Sequence, residues 1–106
     1  MKITTLNEAS GSPYMTKEHL AELLSCTKVT INTRMKEIEE EVKNGRYGQH
    51  AIIRDGGIVL INYLVWIDYL RWRKQLKEKN LRKLVPKFDA YEVAKEIGWY
   101  IVQEVV

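Results

Sequence analysis

Two short amphipathic helices, each preceded by a capping threonine and separated by a brief break, are the feature that most restricts the fold of this chain. Thr16 can cap a first helix, because its hydroxyl can accept hydrogen bonds from the free amides of the first turn. Apolar residues then recur at helical spacing, at Leu20, Ala21, Leu23 and Leu24. After a break at Ser25-Cys26, Thr27 can cap a second helix with apolar positions at Ile31, Met35, Ile38 and Val42. The spacing predicts a helix-turn-helix between Tyr14 and Lys43.

The outward face of the predicted second helix is short, polar and basic. If the apolar positions point inward, this face is formed by Lys28, Val29, Asn32, Thr33 and Lys36. An amide, a hydroxyl with its methyl group, and two ammonium groups are suited to base edges and phosphates. In helix-turn-helix proteins the second helix enters the major groove, so we predict that this face binds double-stranded DNA. The alternative is a protein-interaction module, such as an antirepressor or adaptor, in which the lysines are merely solvated.

A β-hairpin is predicted after the second helix. The β-branched runs 51–54 and 58–61 flank Asp55-Gly56-Gly57, and an Asp-Gly step between such runs is a strong hairpin signal, because tight hairpin turns need positive φ. A helix-turn-helix followed by a hairpin is a winged helix. The predicted fold class is therefore mainly α with a small β-hairpin. We expect Arg54 in the hairpin or Arg46 in the preceding loop to touch DNA; the alternative is a hairpin that only covers the helices.

Positive charge is concentrated between residues 71 and 87. The chain has a net charge of +3, but this segment holds eight lysines and arginines against the single acid Glu78. A basic stretch of this density can neutralise phosphates. We predict phosphate contacts at Arg71, Arg73, Lys74 and Lys77. The alternative is a solvated helix end, since cations favour helix C-termini.

A long third helix is expected to begin at a cap near Asn62. From Tyr63 to Trp72 it is apolar almost all round, which is more than one buried stripe requires. One face should pack on the helix-turn-helix, and another either on a second copy in a homodimer or beneath a short terminal helix. We expect Asp89 to cap this terminal helix and Gly98 to end it. The predicted organisation is a flexible arm over 1–13, a winged helix-turn-helix with the long third helix over 14–80, and a linker with a C-terminal helix on the same domain over 81–106.

Catalysis is not expected. The two histidines, His19 and His50, and the single Cys26 lie in separate segments without metal-ligand spacing, and no Gly-rich phosphate loop is present. We expect Glu39-Glu40-Glu41 to be a solvated face, and we predict no catalytic residue, metal or cofactor.

The N-terminus lacks the apolar core of a signal peptide, and the apolar run 58–70 is too short for a membrane span. These features predict a cytoplasmic protein without membrane contact.

The order of these motifs resembles a known family. Met15-Thr16 with Leu20-Ala21, a Glu-rich second helix, Gly45-Arg46-Tyr47-Gly48, Asp55-Gly56-Gly57 and Ile67-Asp68-Tyr69-Leu70 are similar to the small excisionase-like winged-helix proteins of phages and prophages of Gram-positive bacteria. The resemblance implies an architectural factor that bends DNA beside an integrase, or an early-gene transcriptional regulator; the protein partner it implies is an integrase or a repressor. It also implies DNA contacts by Lys28, Asn32, Thr33 and Lys36. The acidic stretch 37–41 departs from a minimal excisionase and would repel phosphate if it lay near the DNA backbone.

Overall fold

The structure, a computed structural model, describes residues 12–99. This part of the chain is mainly helical and contains one small antiparallel sheet. The predicted N-terminal arm lies outside the described residues except for Ser12 and Pro13. None of the helices within 12–99 is long and apolar enough to cross a membrane.

The predicted helix pair is present as α1 (Lys17–Leu24) and α2 (Lys28–Lys43). Both capping threonines are confirmed: the Thr16 hydroxyl accepts from the His19 amide at 3.1 Å, and the Thr27 hydroxyl accepts from the Thr30 amide at 3.3 Å. Ser25 ends α1 in the left-handed region, with φ of 53°. That conformation turns the chain sharply enough for α2 to start three residues later.

The predicted hairpin is confirmed as β2 (Ile52–Asp55) and β3 (Ile58–Asn62), preceded by a 3-10 turn at Gln49–Ala51. A further strand that the sequence did not predict, β1 (Tyr14–Thr16), pairs with β3 and makes the sheet three-stranded with β3 in the centre. Asp55 pairs with Ile58, so the two turn residues are Gly56 and Gly57 rather than an Asp-Gly step. Gly56 has φ of +59°, which confirms the expected positive φ.

Up to residue 99, three helices follow the sheet: α3 (Tyr63–Lys77), the short α4 (Lys79–Arg82) and α5 (Ala90–Ile97). The predicted caps are again confirmed, because the Asn62 carboxamide oxygen accepts from the Leu64 amide at 2.9 Å and the Asp89 carboxylate accepts from the Tyr91 amide at 3.0 Å. Gly98 ends α5 in the left-handed conformation, with φ of 74°.

The apolar surface of α3 is shared between two clusters of the same chain. Trp66 and Tyr69, 1% and 2% exposed, pack with Leu20, Ile31, Met35 and Ile38 in the main core beneath the helix pair. Leu64 packs in a second cluster with Ala94 and Trp99. The broad apolar face that suggested a second copy is therefore largely buried within one chain, and Leu70, 41% exposed, is its most open member.

Candidate nucleic-acid interface

The outward face of α2 is open to solvent over its first nine residues. All five positions predicted to contact DNA are exposed: Lys28, Val29, Asn32, Thr33 and Lys36. They share one side because Ile31, Met35 and Ile38 occupy the opposite side and anchor it in the core. Val29 is 73% exposed, so its methyl groups are open to solvent.

The polar groups on this face differ in what they already bind. The Thr33 hydroxyl donates to the Val29 carbonyl at 3.0 Å, within its own helix. The Lys28 ammonium lies 3.6 Å from the Glu18 carboxylate on α1, with both side chains well exposed. Within residues 12–99, Asn32 and Lys36 make no side-chain hydrogen bond or ion pair. The face therefore presents a free amide, a free ammonium and the methyl groups of Val29 and Thr33.

Glu37 is directed away from this face, towards α3. Its carboxylate accepts from the Tyr69 hydroxyl at 2.8 Å, from Arg73 Nε at 2.9 Å and from Lys77 Nζ at 3.3 Å. Burial would raise the pKa of Glu37, but the hydrogen bonds from Arg73, Tyr69 and Lys77 outweigh it and lower the pKa to about 2. Burial and the bond to Glu37 also raise the pKa of the Tyr69 phenol.

Glu41 is buried, which corrects the expectation that residues 39–41 form one solvated face. It is 7% exposed and forms a two-pronged pair with Arg82, whose Nη1 lies 2.8 Å from Oε2. Glu40 stays at the surface beside Lys43, and the half-exposed Glu39 pairs with Arg54. The acidic stretch is thus divided, and Glu37 and Glu41 are compensated by cations of α3 and α4 rather than set beside the outward face.

Arg46 is an interior residue of this fold. Its Nη2 and Nε lie 2.8 and 3.1 Å from Asp68 Oδ2, and its Nη1 donates to the Pro86 carbonyl at 2.8 Å. The Tyr47 hydroxyl donates to the same Asp68 oxygen at 2.6 Å, and burial raises the pKa of that phenol. The side chains of Arg46 and Asp68 are 9% and 5% exposed. This guanidinium ties the loop after α2 to α3 and to the linker before α5, so we leave Arg46 out of the proposed interface.

The other predicted basic contacts are at the surface but mostly have carboxylate partners. Arg54 lies 3.2 Å from Glu39, Arg71 lies 2.7 Å from Glu96, and Arg73 and Lys77 share Glu37. Lys74 is exposed and forms no ion pair with any residue in 12–99. All six arginines of the chain lie within this range, and each pairs with a carboxylate. The unpaired cations of this part are lysines.

Sequence reasoning did not find the inward roles of Glu37, Glu41 and Arg46. One signal was available for Arg46, because Asp68 is the only charged residue between Tyr63 and Leu70. A carboxylate within such an apolar stretch requires a cation or several donors. Among known proteins, no protein family, curated protein or solved structure matches this chain.

Proposed function

We propose that this chain binds double-stranded DNA as a winged-helix protein. In this proposal α1 and α2 are the helix-turn-helix, α2 is the recognition helix, and the β2–β3 hairpin is the wing. The observation that carries it is the outward face of α2, where the five exposed positions from Lys28 to Lys36 are free of core contacts. A helix presented in this way can enter the major groove, whose width admits an α-helix.

The direction of the acidic side chains supports this proposal. Carboxylates on the outward face of α2 would oppose phosphates, but Glu37 and Glu41 are turned to α3 and α4 and bind cations there. The exposed Glu40, one turn beyond Lys36, lies 3.6 Å from the Lys43 ammonium, which offsets its charge. Lys36 and Lys74 remain free within the described residues to meet the DNA backbone. In the wing, the Arg54 side chain is 51% exposed. Its ion pair with Glu39 would have to break before it could bind a DNA phosphate.

The biological role that we propose is that of the phage and prophage proteins which the motifs resemble. It is either an architectural factor acting beside an integrase or a transcriptional regulator. The two roles differ in DNA geometry, because an architectural factor bends its site and a simple repressor need not. Gel mobility of circularly permuted fragments carrying a bound site distinguishes them: position-dependent mobility supports the architectural role.

The DNA-binding proposal is tested by titrating a labelled duplex at two salt concentrations. The wild type should bind at low salt and weaken steeply as salt rises, because each phosphate contact releases counterions. Lys36→Ala should weaken binding to all sequences and reduce the magnitude of the salt slope by about 1. The matched control is Lys95→Ala, which removes an exposed lysine of α5 and should leave the slope unchanged. Absence of duplex binding by the wild type at low salt would overturn the proposal.

A second candidate function is a protein-interaction module. The observation in its favour is that Arg71, Arg73 and Lys77 already have carboxylate partners. Moreover, Leu84 between α4 and α5 and Tyr91 on α5 are 77% and 69% exposed. An adaptor or antirepressor would use such side chains rather than α2. In that case, alanine substitutions on α2 would leave partner binding intact.

A further inference from the structure

We infer that the outward face of α2 reads A·T base pairs, with Asn32 recognising adenine and the methyl groups of Val29 and Thr33 recognising thymine. This inference rests on the proposed DNA-binding function and adds the chemical class of the site. It rests on a difference between the side chains of this face: some already have hydrogen-bond or ion-pair partners within the chain, and others do not.

The outward face of α2 lacks the side chain best suited to guanine. In the major groove, guanine O6 and N7 are read by an arginine or a lysine, and arginine presents its donors as a rigid fork that suits two adjacent acceptors. None of the six arginines lies on the outward face of α2, and each is held by a carboxylate elsewhere. The cations of this face are Lys28, which is 3.6 Å from Glu18, and Lys36. An ammonium on a flexible stem suits phosphate better than the paired acceptors of guanine.

The outward face of α2 also presents methyl groups. Because the Thr33 hydroxyl donates to the Val29 carbonyl at 3.0 Å, its hydrogen is used within the helix, and the γ-methyl group is left for a ligand. Val29 adds two methyl groups, 73% exposed, one helical turn away on the same face. Among base edges in the major groove, the C5-methyl of thymine is the apolar group that such side chains contact.

Asn32 supplies the free carboxamide of this face. Its carboxamide is exposed, has no hydrogen-bond partner within residues 12–99, and lies on the same face as Val29 and Thr33. A carboxamide matches adenine because its oxygen accepts from N6 while its nitrogen donates to N7. Because these three side chains share one face, Asn32 can read an adenine while Val29 and Thr33 contact the methyl groups of neighbouring thymines.

The test begins with selection of bound sites from a random duplex library by the full chain. The expected result is an enriched site whose central base pairs are A·T. In the selected duplex, thymine is then replaced by uracil, which removes only the methyl group, and adenine by 7-deazaadenine, which removes the N7 acceptor. We expect the affinity of the wild type to fall about fourfold when the thymine methyl group is removed. Removal of the adenine N7 acceptor should lower it about tenfold.

Variants at three exposed positions distinguish the thymine contacts from the adenine contact. Val29→Ala and Thr33→Ser should each reduce the discrimination between thymine and uracil and keep the response to 7-deazaadenine. Asn32→Ala should show the opposite pattern. Lys74→Ala is the control, because it should weaken all duplexes equally. An enriched G·C core, or a wild type indifferent to both base analogues, overturns the A·T inference and leaves DNA binding standing. Failure to bind any duplex overturns both.

Discussion

Single charged side chains of this protein are governed by partners on distant elements. Glu37 and Arg73 are 36 residues apart and Glu41 and Arg82 are 41 apart, yet each pair is in contact. A local pattern cannot show such pairs, since a run of glutamates on a helix usually faces water. The outward positions of α2 were predictable for the opposite reason, because the spacing of Ile31, Met35 and Ile38 fixes the other side of the helix.

The low pKa of the Glu37 carboxyl predicts that the free energy of unfolding decreases in acid. Its pKa is about 2 in the folded chain and 4.5 as its ordinary value, so the folded state binds fewer protons between these values. The stabilisation is therefore complete above about pH 4.5 and is lost as the pH falls towards 2. Solvent at this partly exposed group reduces the effect to about 1–2 kcal/mol.

Urea unfolding of the wild type and Glu37→Gln between pH 2 and 6 measures this decrease. The variant should be less stable near pH 6 and should converge on the wild type as the pH approaches 2. Glu40→Gln is the matched control, because that exposed glutamate of α2 faces only Lys43. Parallel curves for the wild type and Glu37→Gln would contradict the assigned network.

The pair of Arg46 and Asp68 predicts a large effect of removing one charge. Arg46→Met would leave the Asp68 carboxylate buried with only the Tyr47 hydroxyl as a donor. The free energy of unfolding should therefore fall by about 3–5 kcal/mol. Replacing both residues, in Arg46→Met with Asp68→Leu, should cost less than Arg46→Met alone. Arg54→Met removes an exposed pair and should cost under about 1 kcal/mol. Equal midpoints for Arg46→Met and Arg54→Met in urea would show that Arg46 is not an interior cation.

The elements were predictable from the sequence where their ends depend on local chemistry. Thr16, Thr27, Asn62 and Asp89 all act as the predicted caps, because a short polar side chain serves the amides of its own first turn. Strand β1 was missed because three residues carry no periodicity. It exists through pairing with a strand far along the chain, with Tyr14 opposite Asn62. Helix α4 is equally short, and nothing local distinguishes it from a linker.

The hairpin turn gives a prediction with an internal control. Gly56 has positive φ and Gly57 does not, and a Cβ added at either position would have no atom within 4 Å. Steric crowding is thus equal, and only backbone conformation separates the two. Gly56→Val should lower the free energy of unfolding by about 1–2 kcal/mol. The free energy of unfolding of Gly57→Val should lie within about 0.5 kcal/mol of the wild-type value. Thermal unfolding followed by circular dichroism compares them, and matching melting temperatures would mean that the turn does not depend on Gly56.

At the scale of the whole molecule, α3 packs against the helix pair on one side and against α5 on another. Its Trp66 and Tyr69 enter the core beneath α1 and α2, its Arg73 and Lys77 bind the acidic side of α2, and its Leu64 lies under α5. The sequence showed that α3 is apolar on more than one side but left open whether a second copy or the terminal helix covers it. The structure assigns most of that surface to contacts within the chain, because Val65, Trp66 and Tyr69 are all buried.

These contacts predict a monomer in the absence of DNA. In sedimentation equilibrium the wild type should behave as one species at the 12.5 kDa chain mass. Ala94→Asp should change this, because a carboxylate at a position 5% exposed would displace α5 and uncover Leu64 and Tyr63. Tyr91→Asp places the same carboxylate on α5 at a site 69% exposed and should remain monomeric. A wild type that dimerises at micromolar concentration would instead indicate that the remaining exposed side chains, Leu70 among them, meet a second copy, as the apolar length of α3 first suggested.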